Sequence, residues 1–162
     1  MVMLWASGGA FRQFCSCAGW VTEYAAMTDP LADPTLCIRS WHAHVYFDGP
    51  AQRELAAVLR EGIAARFEVQ LGRWHDALVG PHTRPTYMVA FEPARFAQVV
   101  PFLALNRQGL NVLVHPNTLS PRADHLVNAI WLGQRLPVNE STLPEIITAD
   151  EVEPVLINNR PG

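Results

Sequence analysis

The order in which two hydrophobic periodicities alternate along the chain constrains its fold most. Four segments alternate apolar and polar residues with the period of two that is typical of half-buried strands. They are residues 41–48, 67–74, 86–93 and 110–116. Two segments between them repeat apolar residues at helical spacing, one over residues 50–66 and one that opens at Pro93. The resulting order, β-α-β-β-α-β, predicts a ferredoxin-like α+β sandwich built on the split βαβ pattern.

A further helix is expected after this core. Ser120 and Pro121 form a cap and first-turn pair, and Gly133 would close the helix. Pro101 lies inside the second helical pattern and predicts a kink or a break there. The proline-rich tail from Gln134 onward should run extended over the surface rather than form a second domain. In this fold the two core helices cover one sheet face, and the tail, a partner subunit or a ligand must cover the other.

The length of 162 residues suits one domain. Residues 1–26 show no usable periodicity, and Met27 opens an ordinary polar start, so we expect a disordered or wrongly assigned extension followed by one domain over residues 27–162. Three cysteines, an odd number with no metal-binding spacing, argue against a disulfide framework and favour a reducing cytoplasm.

The charge pattern narrows the class of partner. The chain has 12 basic and 15 acidic side chains, with no block of either sign. This balance argues against nucleic acid as the main partner, because phosphate binding needs a basic patch. No apolar run is long enough to span a membrane.

The six histidines all fall between positions 42 and 125. His42 and His44 are two apart on a predicted strand, so they share a face. One such pair alone is equally well explained as two half-exposed histidines. His115 closes the fourth strand, which neighbours the first in this fold, so it can approach His44 across a ladder spacing of about 5 Å.

The remaining histidines lie close to strand ends or in a helix. His75 ends the second strand and His82 precedes the third, whereas His125 lies in the last helix and is read more simply as a hydrogen-bonded helix residue. Imidazole suits iron, zinc, copper and nickel alike. No cysteine accompanies the histidines, which disfavours a structural zinc site, and the absence of a G-x-S-x-G motif disfavours nucleophilic catalysis.

Several separate motifs in this region resemble the DOPA 4,5-dioxygenase family, in the same order and at the same spacing. They are WHAHVYFD, LGRWHDALVGPH, YMVAF, LNRQGLNVLVHPNT, DH and WLG, and they span residues 41–136. The resemblance implies a non-haem Fe(II) extradiol dioxygenase that opens the ring of L-DOPA or a related catechol with dioxygen. Another divalent metal in place of iron is left open.

The resemblance also suggests roles for individual residues. The histidines of the family correspond to all six in this chain, and the pattern does not say which of them bind metal. We expect the metal ligands to come from His42, His44, His75 and His115. His125 and His82 are the predicted catalytic acid or base. Arg73, Arg107 and Asn117 are predicted to bind substrate, Arg84 is a further candidate for a substrate carboxylate, and Asp76 could orient an imidazole.

Two other functions fit the same pattern. One is a metal-binding or small-ligand-binding ferredoxin-like module without turnover. The other is a metal-free enzyme, such as an isomerase, that uses paired histidines as acid and base. For any of them, the open sheet face and the apolar WLG segment predict a symmetric homodimer.

Overall fold

The structure, a computed structural model, describes residues 38–162. The predictions for residues 1–26 and for the three cysteines lie outside the described residues. The strands are β1 (Ser40–Tyr46), β2 (Gln70–His75), β3 (Thr86–Phe91), β4 (Asn111–Asn117) and β5 (Ile130–Leu132). The helices are α1 (Gly49–Ala64), α2 (Phe96–Asn106) and α3 (Pro121–Leu126), with short 3-10 turns at Pro93–Arg95 and Glu140–Thr142.

The strands form one antiparallel sheet in the order β2-β3-β1-β4-β5. The first four strands have the arrangement of the split βαβ pattern, so the predicted ferredoxin-like α+β fold is confirmed. The predicted contact between the first and fourth strands is present, with His42 opposite His115 in the ladder.

The end of the last helix was predicted wrongly. Helix α3 stops at Leu126, and the following residues form β5 along the free edge of β4. Pairing satisfies backbone groups of β4 that would otherwise lie unpaired at the edge, and Ile130 and Trp131 are residue types that favour strands. Gly133 has a φ of +95°, so it turns the chain after β5 rather than closing a helix.

Helix α2 continues through Pro101, where a kink or a break was predicted. The proline lacks the N–H for one helical hydrogen bond. Val99 and Leu103 are buried on either side of it and hold both halves of the helix against the sheet. Tertiary packing therefore offsets the local cost of the proline.

The main core lies between the helices α1 and α2 and one face of the sheet. Ala43, Val45 and Phe47 lie on this face of the first strand segment, as the alternation predicted. Helix α1 contributes Leu59 and Ile63. The residues that alternate with them, which include His42 and His44, face the opposite side of the sheet.

Part of that opposite face is covered by a second, smaller apolar cluster. It joins Tyr46 and Leu113 to Leu136 from the segment after β5, with Trp131 stacked on the Tyr46 ring. The chain then runs beside the loop between β2 and β3, where Asn139 donates its backbone N–H to the Pro81 carbonyl. The remaining open part of the face is the region of the histidines.

The end of the tail lies along the outer edge of β2. The Asn158 side chain bonds the N–H and the carbonyl of Leu71, and the Asn159 side chain accepts from the Val69 N–H and donates to the carbonyls of Ala64 and Phe67. Two side-chain amides therefore occupy backbone groups that a neighbouring strand would otherwise bond. The extended tail that the sequence predicted thus serves as a cover for one edge of the sheet.

Residues 38–162 contain no helix with the length and apolar character needed to cross a membrane.

Candidate metal centre and adjoining cleft

Three different parts of the fold carry histidines to one place on the open sheet face. The alternation of β1 directs His42 and His44 to this face, and the register with β4 sets His115 opposite His42. Helix α3 supplies His125. The loop before β3 supplies His82, which pairs with Val138 of the tail in an isolated bridge.

These side chains form the five-histidine cluster, which consists of His42, His44, His82, His115 and His125. The Nε2 atoms of His44 and His115 are 3.2 Å apart. The ring centroids of His44 and His82 are 4.1 Å apart, and those of His115 and His125 are 3.8 Å apart. The five rings therefore surround one small volume.

Two groups of three histidines within the cluster could each hold one metal ion. His42, His44 and His115 form the first group, and His44, His82 and His125 form the second. Within each group, one nitrogen from each ring lies within 4.8 Å of the others. His44 belongs to both groups.

Burial keeps these rings neutral. It lowers the pKa of His42 to about 4, with a further contribution from His125. Burial likewise lowers the pKa of His82 to about 4. The pKa values of His44 and His115 lie well below the usual range, again mainly through burial and then through their histidine neighbours. Neutral imidazole is the form that binds a metal.

Backbone carbonyls orient two of the rings. His115 Nδ1 lies 2.7 Å from the Pro116 carbonyl oxygen, and His125 Nδ1 lies 2.8 Å from that of Pro121. A carbonyl only accepts, so each Nδ1 carries the proton and donates it. The lone pair of each neutral ring is therefore on Nε2, as in histidines that bind metals through that atom.

The residues present fit a divalent cation. Two nitrogens that share one ion at about 2.1 Å, at angles of about 90–110°, lie about 3.0–3.4 Å apart. The 3.2 Å between His44 Nε2 and His115 Nε2 falls within that range. Within residues 38–162, the groups that could hold a metal contain histidine alone, without cysteine or carboxylate. Such a set suits a late first-row metal rather than calcium or magnesium.

The nearby carboxylates have other partners. Asp76 accepts from Arg53 at 3.2 Å on the surface, so it does not orient an imidazole of the cluster. Asp124 is buried and accepts from the N–H and the hydroxyl of Thr118, and burial raises the pKa of its carboxyl. Asp124 thereby fixes the start of α3 next to His125, whereas the Ser120 side chain makes no capping hydrogen bond.

A cleft of about 520 Å³ adjoins the cluster. His44 and His82 form its inner wall, and Arg73 and His75 of β2 also line it. Simple alternation would place Arg73 on the core face with Leu71. The register against β3 shifts between Leu71 and Trp74, and this bulge is the reason that Arg73 reaches the cleft.

The other predicted site residues lie outside both three-histidine groups. His75, predicted as a ligand, lines the cleft and belongs to neither three-histidine group. Arg107 donates to the Leu110 carbonyl at the end of α2. Asn117 donates to the Ser40 hydroxyl, which in turn lies 3.5 Å from His42 Nε2. The structure thus brings five histidines into one cluster and places Arg73 and His75 in the adjoining cleft, with Arg107 and Asn117 outside both.

Tyr46 is the main site residue that the sequence reasoning left without a role. Its hydroxyl lies 2.8 Å from His82 Nδ1, and both side chains are buried. The signal was available, because Tyr46 follows His42 and His44 on the same face of the alternation. Its contact with His82 spans 36 positions and has no local signature.

Comparisons with known proteins agree with this geometry. A family model described as "Dopa 4,5-dioxygenase family" matches residues 41–142. A protein named DOPA 4,5-dioxygenase from Amanita muscaria is 33% identical over 123 residues, which cover 71% of this chain and 53% of that protein. The chain thus spans about half the length of that relative. An uncharacterised 21.2 kDa protein of Botryotinia fuckeliana is 30% identical over 133 residues, covering 76% and 73% of the two chains.

A solved structure from Nostoc punctiforme, described as a "putative dioxygenase", superposes with a TM-score of 0.66 at 53% identity. The match covers 68% of this chain and 95% of the other. The matched range of the family model includes every histidine of the cluster. The chain belongs to the DOPA 4,5-dioxygenase family.

Proposed function

We propose that this protein is an extradiol ring-cleaving dioxygenase that opens L-DOPA or a related catechol with dioxygen, at a non-haem Fe(II) held by histidines. The observation that carries the proposal is the packing of five imidazoles against one another beside an open cleft, with His44, His82 and His115 buried. The Nε2 atoms of His44 and His115 face each other at 3.2 Å, and one cation would engage both lone pairs together. Family membership and the name of the Amanita muscaria relative support the choice of reaction.

His42, His44 and His115 are the proposed ligands. They come from two adjacent strands, and the ring of His115 is already oriented by the Pro116 carbonyl. Bound Fe(II) would supply open coordination positions for the catechol oxygens and for dioxygen. Three neutral ligands leave the positive charge of a divalent ion unbalanced by the protein, so the site would attract an anionic catechol oxygen.

The cleft is the proposed substrate site. Arg73 would bind a substrate carboxylate through two parallel hydrogen bonds. Glu153 lines the same cleft and would suit the ammonium group of an amino acid such as L-DOPA. His75 would contact the substrate rather than the metal. Arg107 and Asn117, predicted from sequence to bind substrate, are outside the cleft and take no part in this proposal.

Proton transfer is assigned to His125 and His82. The Nδ1–H of His125 is held by the Pro121 carbonyl, so its Nε2 is the atom that would accept a catechol proton. His82 lies on the wall between the cluster and the cleft. His82 would hold a proton next to the oxygen atoms of the bound catechol.

The test is oxygen uptake by protein loaded with Fe(II) without oxygen, in the presence of L-DOPA and simpler catechols. One dioxygen consumed per catechol, with formation of a ring-opened product, is the expected result. Protein loaded with Zn(II), which has no redox chemistry, is the matched control and should show no uptake. Iron binding without uptake for every catechol would instead indicate the non-catalytic metal-binding module. Failure to bind any divalent metal would refute the proposed site.

The homodimer and the cytoplasmic location that the sequence suggested stay predictions. Sedimentation at micromolar concentration tests the first, and cell fractionation tests the second.

A further inference from the structure

One buried hydrogen bond distinguishes His82 from the rest of the five-histidine cluster. The Tyr46 hydroxyl lies 2.8 Å from His82 Nδ1, and among residues 38–162 that hydroxyl has no second hydrogen-bonding partner. Tyr46 is 3% exposed, and its ring is held by the stacked Trp131 and by Leu113 and Leu136. Its position is therefore fixed by packing that does not depend on the hydroxyl.

The hydrogen-bonding capacities of Tyr46 and His82 decide which of them donates. If His82 Nδ1 donated, the phenolic proton of Tyr46 would be buried without an acceptor, which costs about 1–3 kcal/mol. If Tyr46 donates, the phenolic proton and the imidazole lone pair are both satisfied. The Tyr46 hydroxyl therefore donates to Nδ1.

The consequence for the neutral ring follows from its two nitrogens. A neutral imidazole has one N–H and one lone pair. With the lone pair of His82 on Nδ1, the proton is on Nε2. His115 and His125 show the opposite arrangement, because their Nδ1 atoms donate to carbonyls and their lone pairs are on Nε2.

We infer that Tyr46 is a positioning residue that holds His82 as its Nε2–H tautomer, so that His82 is a hydrogen-bond donor at the wall of the cleft and not a metal ligand. The role of this donor rests on the proposed dioxygenase function, since it would bond an oxygen atom of the bound catechol. The inference also separates the two groups of three histidines. The second group needs His82 as a ligand, whereas the first, His42, His44 and His115, does not.

Histidine tautomers can be read directly from ring-nitrogen NMR spectra of ¹⁵N-histidine-labelled protein. The metal-free protein is used, so the result is independent of whether the dioxygenase proposal is right. The His82 signals are those lost in His82→Asn. We expect them to show a proton on Nε2 and a hydrogen-bonded, unprotonated Nδ1, and we expect the Nδ1 signal to move in Tyr46→Phe.

Tyr87→Phe is the matched control. Tyr87 is also buried, but its hydroxyl donates to the Ala56 carbonyl on the helix side of the sheet. This variant should leave the His82 signals in place while losing a similar hydrogen bond. A proton on Nδ1 of His82 in the parent protein, or an unchanged His82 spectrum in Tyr46→Phe, would overturn the inference.

Metal retention gives a second readout. His82→Asn should keep the parent stoichiometry of bound Zn(II), whereas His115→Asn should lose it. Loss of zinc in both variants would show that His82 is a ligand. In the loaded enzyme, Tyr46→Phe should lower kcat by about 10–100-fold, which is part of the roughly 10²–10⁴-fold that a positioned proton donor contributes. An unchanged kcat would contradict the positioning role.

Discussion

Acid should destabilise the metal-free protein, because its buried histidines resist protonation in the folded state. An unfolded histidine takes up a proton near its usual pKa of about 6.5. The folded rings of His42 and His82 stay neutral until about pH 4. The unfolded state therefore binds more protons below pH 6.5, and stability falls as the pH drops through this window. Above pH 6.5 both states are neutral and the histidines have no effect.

The size of the effect follows from the two shifts. At pH 5 each of these two histidines should lower the free energy of unfolding by about 2 kcal/mol relative to pH 7.5. Together they remove about 4 kcal/mol, which is a large part of the 5–15 kcal/mol typical of a domain. The lowered pKa values of His44 and His115 act in the same direction.

Denaturant unfolding at pH 7.5 and pH 5 measures this difference. The raised pKa of Asp124 acts in the opposite direction, so the informative quantity is the comparison between the parent and His82→Gln. The variant should lose about 2 kcal/mol of the pH difference, because it lacks one titrating ring. An equal pH difference in the parent and in His82→Gln would refute the reasoning that the His82 ring is buried and neutral.

Three further predictions concern the metal, the substrate and the fold. His115→Ala should abolish retention of Fe(II) whereas His75→Ala keeps it, as metal analysis after desalting would show; equal loss in both would return His75 to the ligand set. Arg73→Gln should raise the KM for L-DOPA by tenfold or more and leave the KM for unsubstituted catechol little changed, with the exposed Arg84→Gln as the control without effect. Gly133→Ala should lower the melting temperature by several degrees, because a φ of +95° costs a non-glycine residue about 1–2 kcal/mol and the added Cβ would lie 2.6 Å from a neighbouring side-chain oxygen. An unchanged melting temperature would contradict the last of these.

The hydrophobic periods of the segments and their order along the chain were enough to predict most of the fold. The alternation in residues 41–48 predicted which face of β1 enters the core and which carries histidines. The split βαβ order then predicted that β4 lies beside β1, which is why the sequence alone places His115 near His44. Strand β5 was missed because pairing with the free edge of β4 overrode a short helical pattern.

The resemblance suggested His82 and Arg73 as site residues, but the contacts that bring them to the site could not be predicted from the sequence. His82 reaches the cluster because its loop pairs with Val138 of the tail, and no local pattern indicates that pairing. Arg73 reaches the cleft through a bulge in β2, which a simple period of two does not anticipate. His75 lies one position beyond Trp74 at the end of the same strand, and the resemblance alone could not separate a cleft residue from a ligand.

The two asparagines at the end of the tail have a consequence for how copies of this protein meet. An uncovered edge strand invites a strand from another molecule, and repeated pairing of that kind leads to aggregation. Asn158 and Asn159 bond the outward backbone groups of residues 67–71 with side chains, which cannot propagate a sheet as a further strand would. The tail therefore blocks strand addition along residues 67–71, where the outer edge of the sheet begins.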